Sequence, residues 1–198
     1  MNPSPISDAQ QWASTLMQSR RTVLPRRLEG PGPDALQKRA IVEAAASAPD
    51  HDQLLPWRFI EVPLHRRPDL GQAFAQALLE RDPLASAQEQ QQAHDKALRA
   101  PWLLLAVVRT QGDPVTIGAE ERLASAGAAI QNMLLMATAM GLGSSLTSGK
   151  AMASSALRRL FGLPALEQAL CFINFGHIRD TPKVRSRPAA ERYFSILE

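Results

Sequence analysis

Residues 123–149 read LASAGAAIQNMLLMATAMGLGSSLTSG and carry no formal charge. A run of this length could cross a bilayer. Its Gln131, Asn132, several hydroxyls and many Gly and Ala instead suit a helix in a soluble protein, buried on most sides. The helix is predicted over about 118–140, with Gly141 as its C-terminal stop. The following SSLTSG reads as a short strand or a loop. What buries this helix decides the fold.

The covering elements are legible on both sides of it. WLLLAVVR, residues 102–109, is a continuous apolar run of strand length, predicted to lie centrally in a sheet. ALCFINFGH, 169–177, is a second central strand, and WRFIEV, 57–62, alternates and is rich in strand formers. Ser7 and Gln10 resemble a capping box that opens a helix to about Ser19. Asp34 starts another helix, in which Leu36, Ile41, Ala44, Ala45 and Ala48 can share a face until Pro49 ends it. Pro68 and Asp69 open a third, with Leu70, Phe74 and Leu78 spaced by four. The polar stretch 86–99, SAQEQQQAHDKALR, is predicted to be an exposed helix or a mobile lid, and a last helix covers about 153–161 before Gly162. The expected fold is α+β: a small central sheet in two or three layers, with one long central helix and a single domain over 1–198. The extended ends carry no core of their own, so they are expected to wrap a neighbouring copy.

Composition narrows the functional classes. The chain has 198 residues, 45% apolar and 21% charged, as in ordinary globular proteins. A net charge of +3 is too mild to imply nucleic acid, although the pI is near 9.5. Basic residues gather at the two ends without the interleaved aromatics that nucleic-acid binding would use. The single cysteine, Cys171, excludes an internal disulfide and reads as a small core residue rather than a nucleophile. The opening MNPSPISDAQQW has neither a basic nor an apolar leader region, so a cytoplasmic protein without a membrane anchor is expected.

Three motifs bear on chemistry. Arg20, Arg21 and Thr22 follow the first helix; guanidinium forks and a hydroxyl suit a phosphate. GLGSSLTSG, 141–149, has neither a dinucleotide nor a nucleotide-loop pattern, and it reads equally as a helix terminator or as a polar edge for a cofactor. SAPDHDQLLPW, 47–57, contains Asp50, His51 and Asp52, but no histidine or cysteine at ligand spacing supports a metal, and no nucleophile elbow supports a triad. Taken alone it is a turn in which an Asp caps local N–H groups.

Together the stretches RRT, SAPDHDQLLPWRFI, WLLLAVV, SAGAAIQNMLLMATAMGLGSSLTSG and FGHIRDTPKVRSRP resemble, in order, the FMN-dependent nitroreductase family. The likeness runs from about Arg20 to the C-terminus and is closest to the short, single-domain branch. It implies an intertwined homodimer with FMN at the interface. Arg20, Arg21 and Thr22 would hold the phosphate and ribityl chain, with Lys183 or Arg185 adding charge. Leu146, Thr147 and Ser148 would pass beside the cofactor, and Ser47 and His51 would approach the flavin bound mainly by the other subunit. Met136, Ala137, Thr138, Ala139, Met140 and Gly141 would lie near the nicotinamide or substrate site. NADH or NADPH would reduce the flavin, which would pass electrons to a nitroaromatic, quinone or similar small acceptor. No obligatory catalytic side chain and no metal are expected, since the flavin carries the reaction.

The resemblance has departures. Leu55 stands where many relatives have a polar residue, Ser47 where the branch can carry a base, and Thr147 offers a hydroxyl rather than a cation. Each lost hydrogen bond would weaken flavin binding by about 1 kcal/mol or more. A flavin- or ligand-binding protein with little turnover is therefore the alternative, and a small basic helical adaptor is a third reading.

Overall fold

A computed structural model describes residues 7–180 and 186–197. Six helices surround five strands: α1 Asp8–Ser19, β1 Leu28–Glu29, α2 Ala35–Ala44, β2 Trp57–Glu61, α3 Arg67–Arg81, α4 Ala87–Asp95, β3 Trp102–Arg109, α5 Ala119–Ala139, β4 Gly143–Thr147, α6 Ser155–Phe161 and β5 Glu167–Ile178.

The strands form one antiparallel sheet ordered β1-β5-β3-β2, with β4 also paired to β5. β5 is the spine, pairing with β3, with β4 and, at its C-terminal end, with β1. β3 is buried on both faces, which explains its unbroken apolar run. Trp102, Leu104, Ala106 and Val108 point to the α2/α5 side, while Leu103, Leu105 and Val107 point to the side of α3 and α6. The fold is thus three layers, α/sheet/α.

Helix α5, free of charge from Leu123 onward, packs as its sequence required. Ala126, Ala129, Ile130, Met133, Leu134 and Ala137 form its buried stripe at spacings of three and four. It ends in a Schellman motif: Gly141 takes φ +75°, Gly141 N donates to Thr138 O at 3.0 Å, and Leu142 N donates to Ala137 O at 2.9 Å. No helix among the described residues is long and apolar enough to cross a membrane. Cys171 is buried against this helix layer, and burial pushes its thiol up to about 11.

Several expectations need correction. Ser7 caps α1 by accepting from Gln10 N, whereas the reciprocal capping boxes are Asp34/Gln37 and Ser86/Glu89. Leu36 is 80% exposed and leaves the face shared by buried Ile41, Ala45 and Ala48. α2 stops at Ala44 and passes into a 3-10 turn, Ala45–Ser47, before Pro49. The polar 86–99 segment packs on α3 through buried Ala93 and Ala97. Two-residue β1 is too short to leave a pattern in sequence. β2 alternates poorly, with only Trp57 fully buried.

Candidate active site

The RRT motif is built into the sheet. Thr22 forms a parallel bridge with Ser144, and Val23 N donates to Ser144 O at 2.9 Å. Gly143 favours this approach, because a Cβ there would stand 3.2 Å from Val23 Cβ and would also crowd the side chains of Leu28 and Ile178 at 2.8 and 2.9 Å. The start of β4 and the end of α1 therefore meet.

Three guanidinium groups gather at this junction. Arg187 Nη2 donates to the Arg20 carbonyl at 2.8 Å. Arg21 Nη1 donates to the same carbonyl at 3.0 Å and also to Gln18 O, which caps the end of α1. Burial, followed by repulsion from Arg187 and Arg21, lowers the pKa of Arg20. Like charges held together this way favour an anion between them. Lys183 and Arg185 lie outside the described residues; Arg187 is the tail cation found here, and sequence reasoning missed it.

From this junction β4 leads to a cavity of about 900 Å³. Thr147 lies three residues beyond the Thr22 bridge, roughly 10 Å along a strand. Thr147, Ser148 and Gly149 line the cavity, with an apolar surface from Phe74, Leu103 and Phe172. Asn174, 3% exposed, also lines it and holds Thr147 and β4 by donating to Thr147 Oγ1 at 3.0 Å and to Ser145 O at 3.1 Å. Its signal was the lone amide within ALCFINFGH. Among the described residues, the buried hydroxyls of Ser144 and Ser145 have no hydrogen-bond partner. Leu146, on the alternate face of β4, is exposed.

Ser47 and His51 sit elsewhere, on the α2/α5 side of the sheet. Ser47 is exposed at the end of its 3-10 turn. His51 Nδ1 is 2.8 Å from Glu121 Oε2, and that hydrogen bond, with the nearby Asp52 carboxylate, raises the pKa of His51. Ser125 Oγ donates to Pro49 O at 2.7 Å, and Leu55 N donates to Asp50 Oδ2 at 2.6 Å. The turn so fixed holds Asp52, Gln53 and Leu55 at φ 54°, 54° and 48°, left-handed values rare for residues with a Cβ. Beside it lies a second cavity of about 310 Å³, lined by His51, Glu121 and Ser125. One protomer therefore brings Arg20, Arg21 and Thr22 to β4 but does not bring Ser47 or His51 to them.

In the stretch 136–141, Ala137 is buried in the core and Thr138 Oγ1 donates to Leu134 O at 2.8 Å. Met136 and Met140 pack at the core margin, leaving Ala139 and Gly141 exposed.

The donor set suits one kind of ligand: a phosphate for the guanidinium cluster, a polyol for the hydroxyls along β4, and a planar ring for the apolar cavity wall. Comparison with known proteins points the same way. Residues 17–177 match the model of the nitroreductase family. A Haemophilus influenzae protein named as a presumptive NAD(P)H nitroreductase is 30% identical over 164 residues, covering 83% of this chain and 87% of that one. Among solved structures, the nitroreductase-like family protein from Bacillus cereus superposes with TM-score 0.80 at 21% identity, over 100% of this chain and 98% of that one. The FMN-dependent nitroreductase NfnB of Mycobacterium smegmatis, solved with NADPH, superposes with TM-score 0.75 at 19% identity, over 96% and 100%.

Proposed function

The chain belongs to the nitroreductase family, and we propose that it is an FMN-dependent oxidoreductase that uses NADH or NADPH to reduce a small aromatic or quinone acceptor. The observation that carries this reading is the Thr22–Ser144 bridge, which sets the Arg20/Arg21/Arg187 cluster at one end of β4 and the large cavity at the other. When bound, FMN supplies hydride and electron transfer between a nicotinamide donor and an organic acceptor.

The chain's own residues bind and orient. Arg20 and Arg21, with Arg187 and with Lys183 or Arg185 of the same tail, hold the phosphate. Thr22, Thr147 and Ser148 give hydroxyls to the polyol and ring edge, and Asn174 fixes the Thr147 rotamer. The large cavity, about 900 Å³, has room for the flavin ring and a small acceptor together along the apolar wall of Phe74, Leu103 and Phe172, which excludes water. Exposed Ala139 and Gly141 leave room for the nicotinamide.

The working unit is a homodimer of single-domain chains. α1 has no buried residue, and Trp12 is 77% exposed. Tyr193, Phe194, Ile196 and Leu197 in the tail are exposed as well. Apolar surface on this scale is normally covered by a partner. In the dimer, Ser47 and His51 contact the flavin held by the other copy.

Purification tests this. A yellow dimer that releases FMN on denaturation, bleaches anaerobically with NADH or NADPH and reoxidises with a quinone or nitro compound is expected. A colourless chain that FMN cannot reconstitute overturns the proposal. Retained flavin that no nicotinamide bleaches would instead favour ligand binding without turnover.

A further inference from the structure

Building on the flavin reading, we propose that the large cavity selects aromatic electron acceptors bearing an anionic group, such as a carboxylate or sulfonate, over neutral ones. Five cations line it: Arg81 at the end of α3, Lys96 and Arg99 just after α4, Arg26 ahead of β1 and Lys150 after β4. Among the described residues, none of the five forms an ion pair with a carboxylate. The one acidic lining residue, Glu89, is engaged: its carboxylate accepts from Ser86 N at 2.9 Å and Ser86 Oγ at 2.7 Å. Glu80, the residue before Arg81, is engaged too, accepting from Ser155 N and Ala156 N at the start of α6.

The cavity thus joins an apolar wall to a rim in which five cations outnumber one carboxylate, Glu89, which the Ser86 hydrogen bonds keep ionised. Phe74, Leu103 and Phe172 accept a ring of either charge type, because burial of an aromatic face is non-directional. The rim separates the two. Cations of one sign around a concave, low-dielectric site focus the field and concentrate counter-charged ligands. The phosphate-binding cluster at Arg20 lies at the other end of β4, so these five charges are additional to those the cofactor needs.

Equilibrium dialysis of the purified holoprotein against 4-nitrobenzoate and its neutral analogue 4-nitrobenzamide tests this without turnover. The benzoate is expected to bind tighter by roughly tenfold at low salt, with the gap closing as ionic strength rises. The double variant Lys96→Gln/Arg99→Gln is expected to lose the gap while keeping its FMN content and melting temperature. Equal binding of the two probes overturns the inference, as does a gap insensitive to salt and to the double substitution. Loss of FMN from the double variant also overturns it, because the cations would then serve the cofactor phosphate. A flavin-loaded protein without anion preference refutes this inference alone, whereas a colourless protein that FMN cannot reconstitute refutes the flavin reading beneath it.

Discussion

The buried Asn174 amide donates to Thr147 Oγ1 at 3.0 Å and to the Ser145 carbonyl at 3.1 Å, tying β5 to the lip of the large cavity. Replacing it with Leu keeps the branch at Cγ but adds bulk and leaves both acceptors short of a donor inside the sheet. Asn174→Leu is expected to cost about 1–3 kcal/mol in urea unfolding and to weaken FMN retention, since Thr147 loses its anchor. Unaltered flavin affinity in a folded variant would remove Thr147 positioning from the account.

His51 and Glu121 set up a pH-dependent contact on the opposite face. The hydrogen bond to Glu121 is the largest cause of the raised His51 pKa, with Asp52 next. A folded-state pKa above the unfolded one contributes stability below the ordinary value of about 6.5 and loses it as pH rises through the folded value. NMR titration should therefore place the His51 midpoint above that of an exposed histidine. In Glu121→Gln the midpoint should fall back; an unmoved midpoint would show that the contact does not operate in solution.

How much of this was readable in advance follows from how local each signal was. α5, β3 and β5 announce themselves because burial on most sides leaves long apolar runs. The Arg20–Thr22 motif was visible, but its pairing with Ser144 joins residues far apart in sequence, so only the fold reveals it. Arg187 is one of several basic residues near the C-terminal end, and nothing local singles it out, because its bond to the Arg20 carbonyl depends on where the tail returns. Leu36 matched the helix period but falls on the outer side of α2, because spacing alone does not say which face meets the sheet. The 86–99 segment reads as polar because it buries only small alanines against α3.

Arg67 carries the attachment of that segment. It is 1% exposed, with Nε donating to Val62 O at 2.7 Å and Nη1 donating to Ala97 O at 2.8 Å. The guanidinium fork spans two carbonyls that a lysine ammonium cannot reach in the same geometry. Arg67→Lys is expected to destabilise the fold by about 2 kcal/mol and Arg67→Ala by about 3 kcal/mol or more. Hydrogen exchange should rise first around residues 96–99, beside the cavity rim; uniform protection loss would argue against a local clamp.

Leu55 offers the opposite kind of change, a gain. Its backbone is held at φ 48° while its side chain is 63% exposed, so strain is present with little packing to offset it. Asn tolerates the left-handed region because its short amide can bond locally, whereas Leu pays the full Cβ clash. Leu55→Asn is therefore expected to raise stability by about 0.5–1 kcal/mol, read as a higher midpoint in urea with unchanged slope. It also returns a polar group to a position where the resemblance expects one, so FMN retention should rise rather than fall. A lower midpoint would mean that Leu55 is covered in the working assembly, and sedimentation of the variant would then show a weakened dimer.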